Sequence, residues 1–156
     1  MQMPEPTDDH RWLHRLVGDW TVTSDMMPEG DHEWTEHVRS LGDLWIMAEG
    51  SGEMPGGGKA TTVMTLGYDL RRACFVGSWV GTMMTHMWVY EGQLDEARNE
   101  LTLNCEGEDF EAPGRMARYQ DVITFKGDDH RLLTARMQAA DGTWKQIMQA
   151  EYRRRA

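Results

Sequence analysis

Several polar side chains that could perform acid–base or hydrogen-bonding chemistry lie in apolar stretches of this sequence. They are Glu36, His86, Tyr90, Tyr119, Asp121 and Gln146. A carboxyl group that is removed from water resists ionisation, so Glu36 or Asp121 is expected to have a raised pKa unless a cation or a donor lies beside it. His86 is the candidate partner. Such groups can transfer protons to a substrate, orient a bound ligand, or satisfy one another in a buried network.

Large apolar side chains accompany these polar groups. The chain has 7 Trp and 13 Met, and tryptophan supplies a wide flat face whereas methionine adapts to irregular space. A few polar groups that converge in an apolar cavity are typical of a small-ligand site. The residues predicted to line such an interior are Trp20, Trp34, Glu36, Trp79, His86, Trp88, Tyr90, Tyr119, Asp121, Gln146 and Met148.

Other motifs in the chain carry weaker chemical signals. His10 and His14 are four residues apart on a predicted helix, but no H-E-x-x-H or paired-cysteine motif accompanies them, so we interpret them as surface histidines. The run GGGK at 56–59 lacks the G-x-x-x-x-G-K-[ST] spacing of a phosphate loop and is interpreted as a hairpin loop. The sequence predicts no metal site and no cofactor.

Period-two alternation of apolar and polar residues predicts about ten β-strands. The eighth of them, for example, places Tyr119, Asp121 and Ile123 on one face. Turns rich in Gly, Asp and Pro separate the strands, among them a Met-Pro-Glu-Gly turn at 27–30. The predicted strands span residues 19–24, 32–40, 44–51, 60–66, 73–80, 86–93, 100–106, 116–125, 131–138 and 143–153.

These elements favour an all-β fold, an antiparallel up-and-down barrel of about ten strands with a short N-terminal helix. The predicted helix, residues 8–17, carries Trp12, Leu13 and Leu16 at helical spacing and is expected to plug one mouth of the barrel. Ten strands enclose a cavity unless large side chains fill it. We expect residues 1–7 to form a flexible tail and residues 8–156 to form a single domain.

The composition limits the partners of the protein. Sixteen Lys and Arg against 26 Asp and Glu give a formal charge of −10, which argues against nucleic acid or an anionic membrane and leaves small neutral or cationic ligands open. The chain shows no signal-peptide pattern and no apolar run of membrane length, so a cytoplasmic location is predicted. Cys74 and Cys105 lie in predicted strands, outside any C-x-x-C motif, and are predicted to be free buried thiols.

A set of short motifs spread along residues 10–153 carries a family resemblance. They are GDWT at 18–21, VRSLG at 38–42, LGYD at 66–69, FVGSW at 75–79 and YQDVI at 119–123. With them the chain resembles a bacterial family of domains of unknown function that is similar to calycin-type barrels, the group of lipocalins and nitrobindin-like haem barrels. The resemblance implies a barrel and no established activity. Haem barrels of this kind hold iron through a histidine near the C-terminus, and no histidine follows His130 here, which argues against haem.

Three functions stay open at this stage. The first is a barrel that binds a small apolar or amphipathic molecule, oriented by Glu36, His86 and Asp121. The second is an enzyme that uses the same three side chains for proton transfer. The third is a structural or oligomerisation module whose barrel is filled by its own side chains and whose outer strands form a homodimer. The Met-rich run at 83–87 fits a pocket rim, a dimer contact or the core.

Overall fold

The protein is a closed antiparallel barrel of ten strands with one short N-terminal helix. The computed structural model describes residues 1–26 and 33–156, so the predicted turn at 27–30 and the first residue of the predicted second strand lie outside the described residues. The predicted fold class is confirmed. The strands are β1 Gly18–Ser24, β2 Trp34–Leu41, β3 Trp45–Glu53, β4 Lys59–Asp69, β5 Cys74–Gly81, β6 Trp88–Leu94, β7 Glu100–Glu108, β8 Met116–Gly127, β9 His130–Gln138 and β10 Trp144–Arg154.

Each strand pairs with the strand that follows it in the chain, and β1 pairs with β10 to close the barrel. All of these pairings are antiparallel, for example Trp20 opposite Glu36 and Val22 opposite Tyr152. Short turns suffice for such a meander, because consecutive antiparallel strands need no crossover. The barrel therefore has two ends, which the connections between strands alternately occupy.

A helical segment closes one end of the barrel, as the sequence predicts. The helix α1 spans Asp8–Leu13, and a 3₁₀ turn continues it from His14 to Leu16. Trp12, Leu13 and Leu16 are almost fully buried against the strands, and the indole Nε1 of Trp12 donates to the carbonyl of Arg98 at 2.6 Å. We name this end the helix end, and the opposite one, with connections 54–58, 82–87, 109–115 and 139–143, the loop end.

His10 anchors α1 to the barrel and is not a surface residue as predicted. Its side chain is 4% exposed. Nδ1 accepts a hydrogen bond from the backbone N–H of Thr7 at 3.0 Å, and Nε2 lies 3.0 Å from the carbonyl oxygen of Tyr68 on β4. His10 therefore fastens the first helical turn to the barrel wall. His14 stays partly exposed, with Nε2 3.0 Å from the carbonyl oxygen of Asp43.

Alternate residues of each strand point into the barrel and form one core. The sequence does not decide which faces of β3 and β4 point inward. The structure assigns the inward face of β3 to Ile46, Ala48 and Gly50, which are buried, and that of β4 to Leu66, Met64 and Thr62, which lie opposite them. Cys74 and Cys105 are buried and free, as predicted. The fully buried core concentrates near the helix end, and its largest members are Trp20, Phe75, Leu13, Leu16, Ile46, Leu66, Leu101, Leu103 and Ile123.

A β-bulge in β10 changes which side chains face inward. The pairing with β9 runs from Gln146 opposite Arg136 to Met148 opposite Ala135, so Ile147 is an extra residue. A bulge reverses the alternation beyond it. Consequently the prediction that Gln146 shares the inward face with Met148 is wrong, and the side chains of Gln146 and of Trp144 are exposed.

Candidate functional site

The half of the barrel next to α1 is filled around a buried ion pair. Nη2 of Arg131 on β9 donates to Oε1 of Glu36 on β2 at 2.6 Å, and the two side chains are 4% and 14% exposed. The Arg131 guanidinium lies 4.5 Å from the ring centre of Trp20 and 3.9 Å from that of Tyr152. Two aromatic faces thus enclose the cation that neutralises Glu36.

Little free space adjoins this ion pair. The cavity beside it has a volume of about 10 Å³ and is lined by Leu16, Glu36, Val38, Ile46, Ala48, Met64, Ile123, Arg131, Leu133 and Tyr152. That volume is close to the room that a single water needs, on the order of 10–15 Å³. The helix-end half is therefore filled by its own side chains, as in the third function considered from the sequence, and no ligand fits on the interior side of Glu36.

A second buried polar pair lies in the middle of the wall, where the Tyr90 hydroxyl on β6 donates to Oδ2 of Asp121 on β8. Desolvation raises the pKa of the Asp121 carboxyl, and the hydrogen bond from Tyr90 opposes part of that rise. Burial and the neighbouring carboxylate raise the pKa of Tyr90 well above its usual range. Burial also raises the pKa of the Cys105 thiol, which faces the same interior, to about 12. Asp121 is therefore a carboxyl group with no cationic partner among the described residues.

Asp121 keeps some accessible surface although it lies in mid-strand and points inward. It stands opposite Leu103 of β7 and Ala135 of β9, and Ala135 and the inward-facing Met148 are partly accessible as well. Because these side chains face inward, their access points to space inside the barrel beside them. In the part of the chain that the structure describes, Oδ1 of Asp121 accepts no hydrogen bond, so this oxygen is free for another donor.

Three tryptophans at the loop end lie flat against inward-facing glycines. A Cβ atom on Gly52, Gly81 or Gly107 would lie 2.4, 2.7 or 2.3 Å from the ring of Trp34, Trp79 or Trp88, respectively. The missing side chains let the rings lie along the wall instead of crossing the barrel. All three indoles remain partly exposed, which gives the loop end an aromatic lining.

Most of the predicted interior residues do point into the barrel, in two groups. Trp20 and Glu36 belong to the filled helix-end half. The others line the middle and the loop end, where Tyr119 is nearly buried and its hydroxyl donates to the carbonyl of Glu108 at 2.6 Å. This second group consists of Trp34, Trp79, Trp88, Tyr90, Tyr119, Asp121 and Met148.

Two predicted interior residues lie elsewhere. His86 precedes β6, is exposed, and its Nε2 lies 2.9 Å from the carbonyl oxygen of Glu106, so it partners neither carboxyl group. Gln146 lies beyond the β10 bulge on the exposed face, with its amide nitrogen 3.4 Å from Oε1 of Gln149. The prediction that both side chains lie inside the barrel is therefore wrong. His86 precedes its strand, and the bulge turns Gln146 outward.

Arg131 is the important interior residue that the sequence interpretation missed. An arginine is rarely buried unless it is paired, and this one starts a strand whose Leu133, Ala135 and Met137 share its face. That alternation is a signal for an inward arginine in the sequence itself. The sequence does not indicate that Glu36 is the partner of Arg131, because the two residues are 95 positions apart.

A groove of about 200 Å³ runs over the outer wall and is lined by Asp19, Trp20, Thr35, Glu36, His37, Glu49, Ser51 and Arg155. In it, Nδ1 of His37 lies 2.7 Å from Oδ1 of Asp19, but the two side chains are 62% and 63% exposed. Water therefore competes for both groups. No cluster of three or more His, Cys, Asp or Glu able to hold a metal occurs among residues 1–26 and 33–156.

Comparison of the sequence with protein-family models identifies its relatives. Residues 5–154 match the model of DUF1579, described as a protein of unknown function. The chain belongs to the DUF1579 family. The two buried pairs and the aromatic loop end are thus features of a DUF1579 barrel. No curated protein matches the chain.

This DUF1579 chain also matches solved barrels at low identity, and three of them are named here. One is a redesigned β-barrel, b11L5F_LGL, with 10% identity and a TM-score of 0.49 over 94% of this chain and 96% of that one. Another is EF1p2_mFAP2b bound to DFHBI, with 12% identity and a TM-score of 0.47 over 94% and 99%. The third is a redesigned β-barrel, mFAP1, bound to DFHBI, with 13% identity and a TM-score of 0.42 over 95% and 100%.

Among the described residues of this DUF1579 chain, none of the helical segments has the length and apolar character to cross a bilayer.

Proposed function

We propose that this barrel binds a small apolar or amphipathic molecule between the middle of its wall and the loop end. The observation that carries the proposal is the residual access of Asp121 and Ala135, which face inward in mid-strand and therefore border free interior space. Trp34, Trp79 and Trp88 supply flat apolar faces between this space and the loop end. Small-ligand sites are usually concave and apolar and contain only a few polar groups.

Proton transfer by Glu36, His86 and Asp121 acting together is less well supported. Glu36 is held by Arg131, Asp121 is bonded to Tyr90, and His86 is exposed. Among the described residues, no hydrogen bond joins any two of the three, whereas a catalytic acid and base act through hydrogen bonds or a shared substrate. The self-filled structural module accounts for the packing of the helix-end half alone.

Several expectations from the sequence accompany this proposal as predictions. They are a calycin-type relationship, a bacterial origin, a cytoplasmic location and a homodimer. Support for the relationship is limited to the up-and-down closure and the helix at one end. The division into a tail of residues 1–7 and a single domain of residues 8–156 is likewise a prediction, consistent with the start of α1 at Asp8.

A titration with the neutral apolar dye Nile red tests the proposed binding. We expect saturable binding to the intact protein, and we expect Trp79→Ala to weaken it by about tenfold or more because a large contact face is lost. Trp45→Ala is the matched control: the Trp45 ring covers Gly67 in the same manner, but on the outer wall, where it is 44% exposed. This control should bind the dye as the wild type does.

Native mass spectrometry of the protein purified without organic solvent provides the second readout, namely a retained small molecule that leaves on denaturation. Absence of saturable dye binding, or equal loss of affinity in Trp79→Ala and Trp45→Ala, would contradict a site inside the barrel.

A further inference from the structure

The two buried carboxyl groups of the barrel differ in whether a cation neutralises them. Glu36 is 2.6 Å from the Arg131 guanidinium. Asp121 receives a hydrogen bond from the neutral Tyr90 hydroxyl, and no ion pair involves it among residues 1–26 and 33–156. An ionised carboxylate in an apolar interior is costly unless a positive charge compensates it. The barrel thus supplies the counter-ion for one carboxylate and none for the other.

The free oxygen of Asp121 borders the interior space. Oδ2 is occupied by Tyr90, whereas Oδ1 accepts no hydrogen bond in the described part of the chain, and the side chain keeps accessible surface. A carboxylate offers about four acceptor positions, so most of its capacity is unused. Leu103 and Ala135 stand opposite Asp121 on the two neighbouring strands, and Met148 stands opposite Ala135. These three side chains offer only apolar contacts.

On the premise of the proposed function, we propose that the ligand is an amphipathic amine, whose ammonium group binds Asp121 and whose apolar part lies against the tryptophans of the loop end. The ammonium group supplies the donor and the positive charge that Asp121 lacks. A carboxylate ligand would meet a like charge there, since Arg131 is already occupied by Glu36. The formal charge of −10 also raises the local concentration of cations around the protein.

Competition against bound Nile red with three ligands of equal chain length tests this assignment. The ligands are octylamine, octanol and octanoate, used below their micelle concentrations. We expect octylamine to displace the dye at least tenfold more tightly than octanol, and octanoate to be the weakest. Equal displacement by amine and alcohol, or strongest displacement by octanoate, would overturn the proposal.

Asp121→Asn locates the preference. We expect this variant to bind octanol as the wild type does and to lose its preference for octylamine. Asp128→Asn removes the same charge from an exposed turn at the helix end, and it should keep the preference. If both variants keep it, or both lose it, the amine does not bind Asp121 and the assignment fails. Tyr90→Phe leaves the carboxylate in place and should retain the preference. This variant serves as a second test if Asp121→Asn folds poorly.

The pH dependence of the preference for octylamine over octanol tests the role of Asp121 independently of the stability of the fold. The preference for octylamine should decline as acidification protonates Asp121. Tyr90, Cys105 and Tyr152 interact electrostatically with Asp121, and raised pKa values keep all three neutral over that range. A preference that is independent of pH down to full protonation of carboxyl groups would count against Asp121. If Nile red does not bind to any form of the protein, the proposed binding function fails, which is a separate outcome from loss of the amine preference.

Discussion

Asp121 and Glu36 are carboxyl groups inside one barrel, and their partners give them opposite properties. Glu36 has a cation between two aromatic rings beside it, so its charge is compensated within the protein. Asp121 has a single neutral donor, and desolvation raises its pKa. Residues that are costly for the folded state and open to a cavity are candidates for binding roles. This contrast, at the scale of single side chains, is the strongest indication of where a ligand binds.

We predict that Asp121→Asn stabilises the protein at neutral pH. The native pKa of Asp121 lies above its ordinary value of 3.8, so between these two values the native state binds more protons than the unfolded state. The free energy of unfolding therefore decreases as the pH rises through this window, and the full cost applies above it. An uncharged amide avoids this cost and can still accept a hydrogen bond from Tyr90.

Urea denaturation of the two proteins at a series of pH values measures this difference. The advantage of Asp121→Asn should disappear as the pH falls to the ordinary carboxyl range. Asp128→Asn, on the surface, should show no comparable gain. A variant that is less stable than the wild type at neutral pH would indicate that Asp121 serves the packing of the barrel.

For single residues, the sequence predicts which carboxyl groups lie inside the barrel more readily than it predicts the side chains that pair with them. Alternation along β2 and β8 is enough to place Glu36 and Asp121 inside. Their partners, Arg131 and Tyr90, depend on which strands meet around the barrel, and the predicted partner His86 lies outside the strand that was expected to carry it.

The pairing between β6 and β7 includes a smaller share of the residues of its two strands than the other pairings do. β6 begins at Trp88 and β7 ends at Glu108, but the paired residues run only from Glu91 opposite Asn104 to Leu94 opposite Leu101. Towards the loop end, side chains bridge the two strands instead: His86 bonds to the carbonyl of Glu106 and the Trp88 ring covers Gly107. Towards the loop end, β6 and β7 are therefore joined by side chains, whereas β6 stays paired with β5 from Trp88 to Gly92.

We predict that the amides of residues 88–90, which pair with β5 alone, exchange with solvent roughly tenfold or more faster than those of residues 91–92, which pair with both β5 and β7, because local opening requires fewer hydrogen bonds to break. Hydrogen exchange followed by mass spectrometry on overlapping peptides measures this ratio. The β8–β9 pair, which is bonded along almost its whole length, is the internal reference and should show no such gradient. Equal protection along β6 would contradict the prediction.

Elements were predictable wherever local alternation decides them. Strand number, order and most boundaries follow from the period-two pattern and the turn residues. The bulge at Ile147 does not, because an inserted residue shows only when the strand is aligned with its neighbour. The inward face of β3 was not predictable either, because both of its faces start with apolar residues.

For the whole molecule, the decisive contact is the closure of β1 on β10, and Arg154 fastens it. Its guanidinium donates to the carbonyls of Val17 at 2.6 Å and of Arg15 at 3.0 Å, and lies 4.3 Å from the Trp20 ring centre. Gly18 makes room for it: a Cβ there would be 2.4 Å from Nη1, and its φ of +134° disfavours other residues. One arginine thus joins the last strand to the segment between the helix and β1.

We predict that Arg154→Ala lowers the free energy of unfolding by about 2–3 kcal/mol, since charge-assisted hydrogen bonds are lost and their carbonyl acceptors stay partly buried. Arg153→Ala removes the same charge from the neighbouring exposed position and should cost less than about 0.5 kcal/mol. Urea denaturation followed by tryptophan fluorescence compares the two. Similar losses in both variants would show that Arg154 contributes only its charge.

The pairing of the first strand with the last also has a consequence during synthesis. A strand edge that lacks its neighbour exposes backbone donors and acceptors that can pair with another chain. While the ribosome is still making residues 144–154, the growing sheet carries such an edge at β1 and another at its newest strand, and neither can be covered by the meander itself. We therefore expect nascent chains that stall before β10 to be far more prone to aggregation than the closed barrel, in which each of the described strands pairs on both sides.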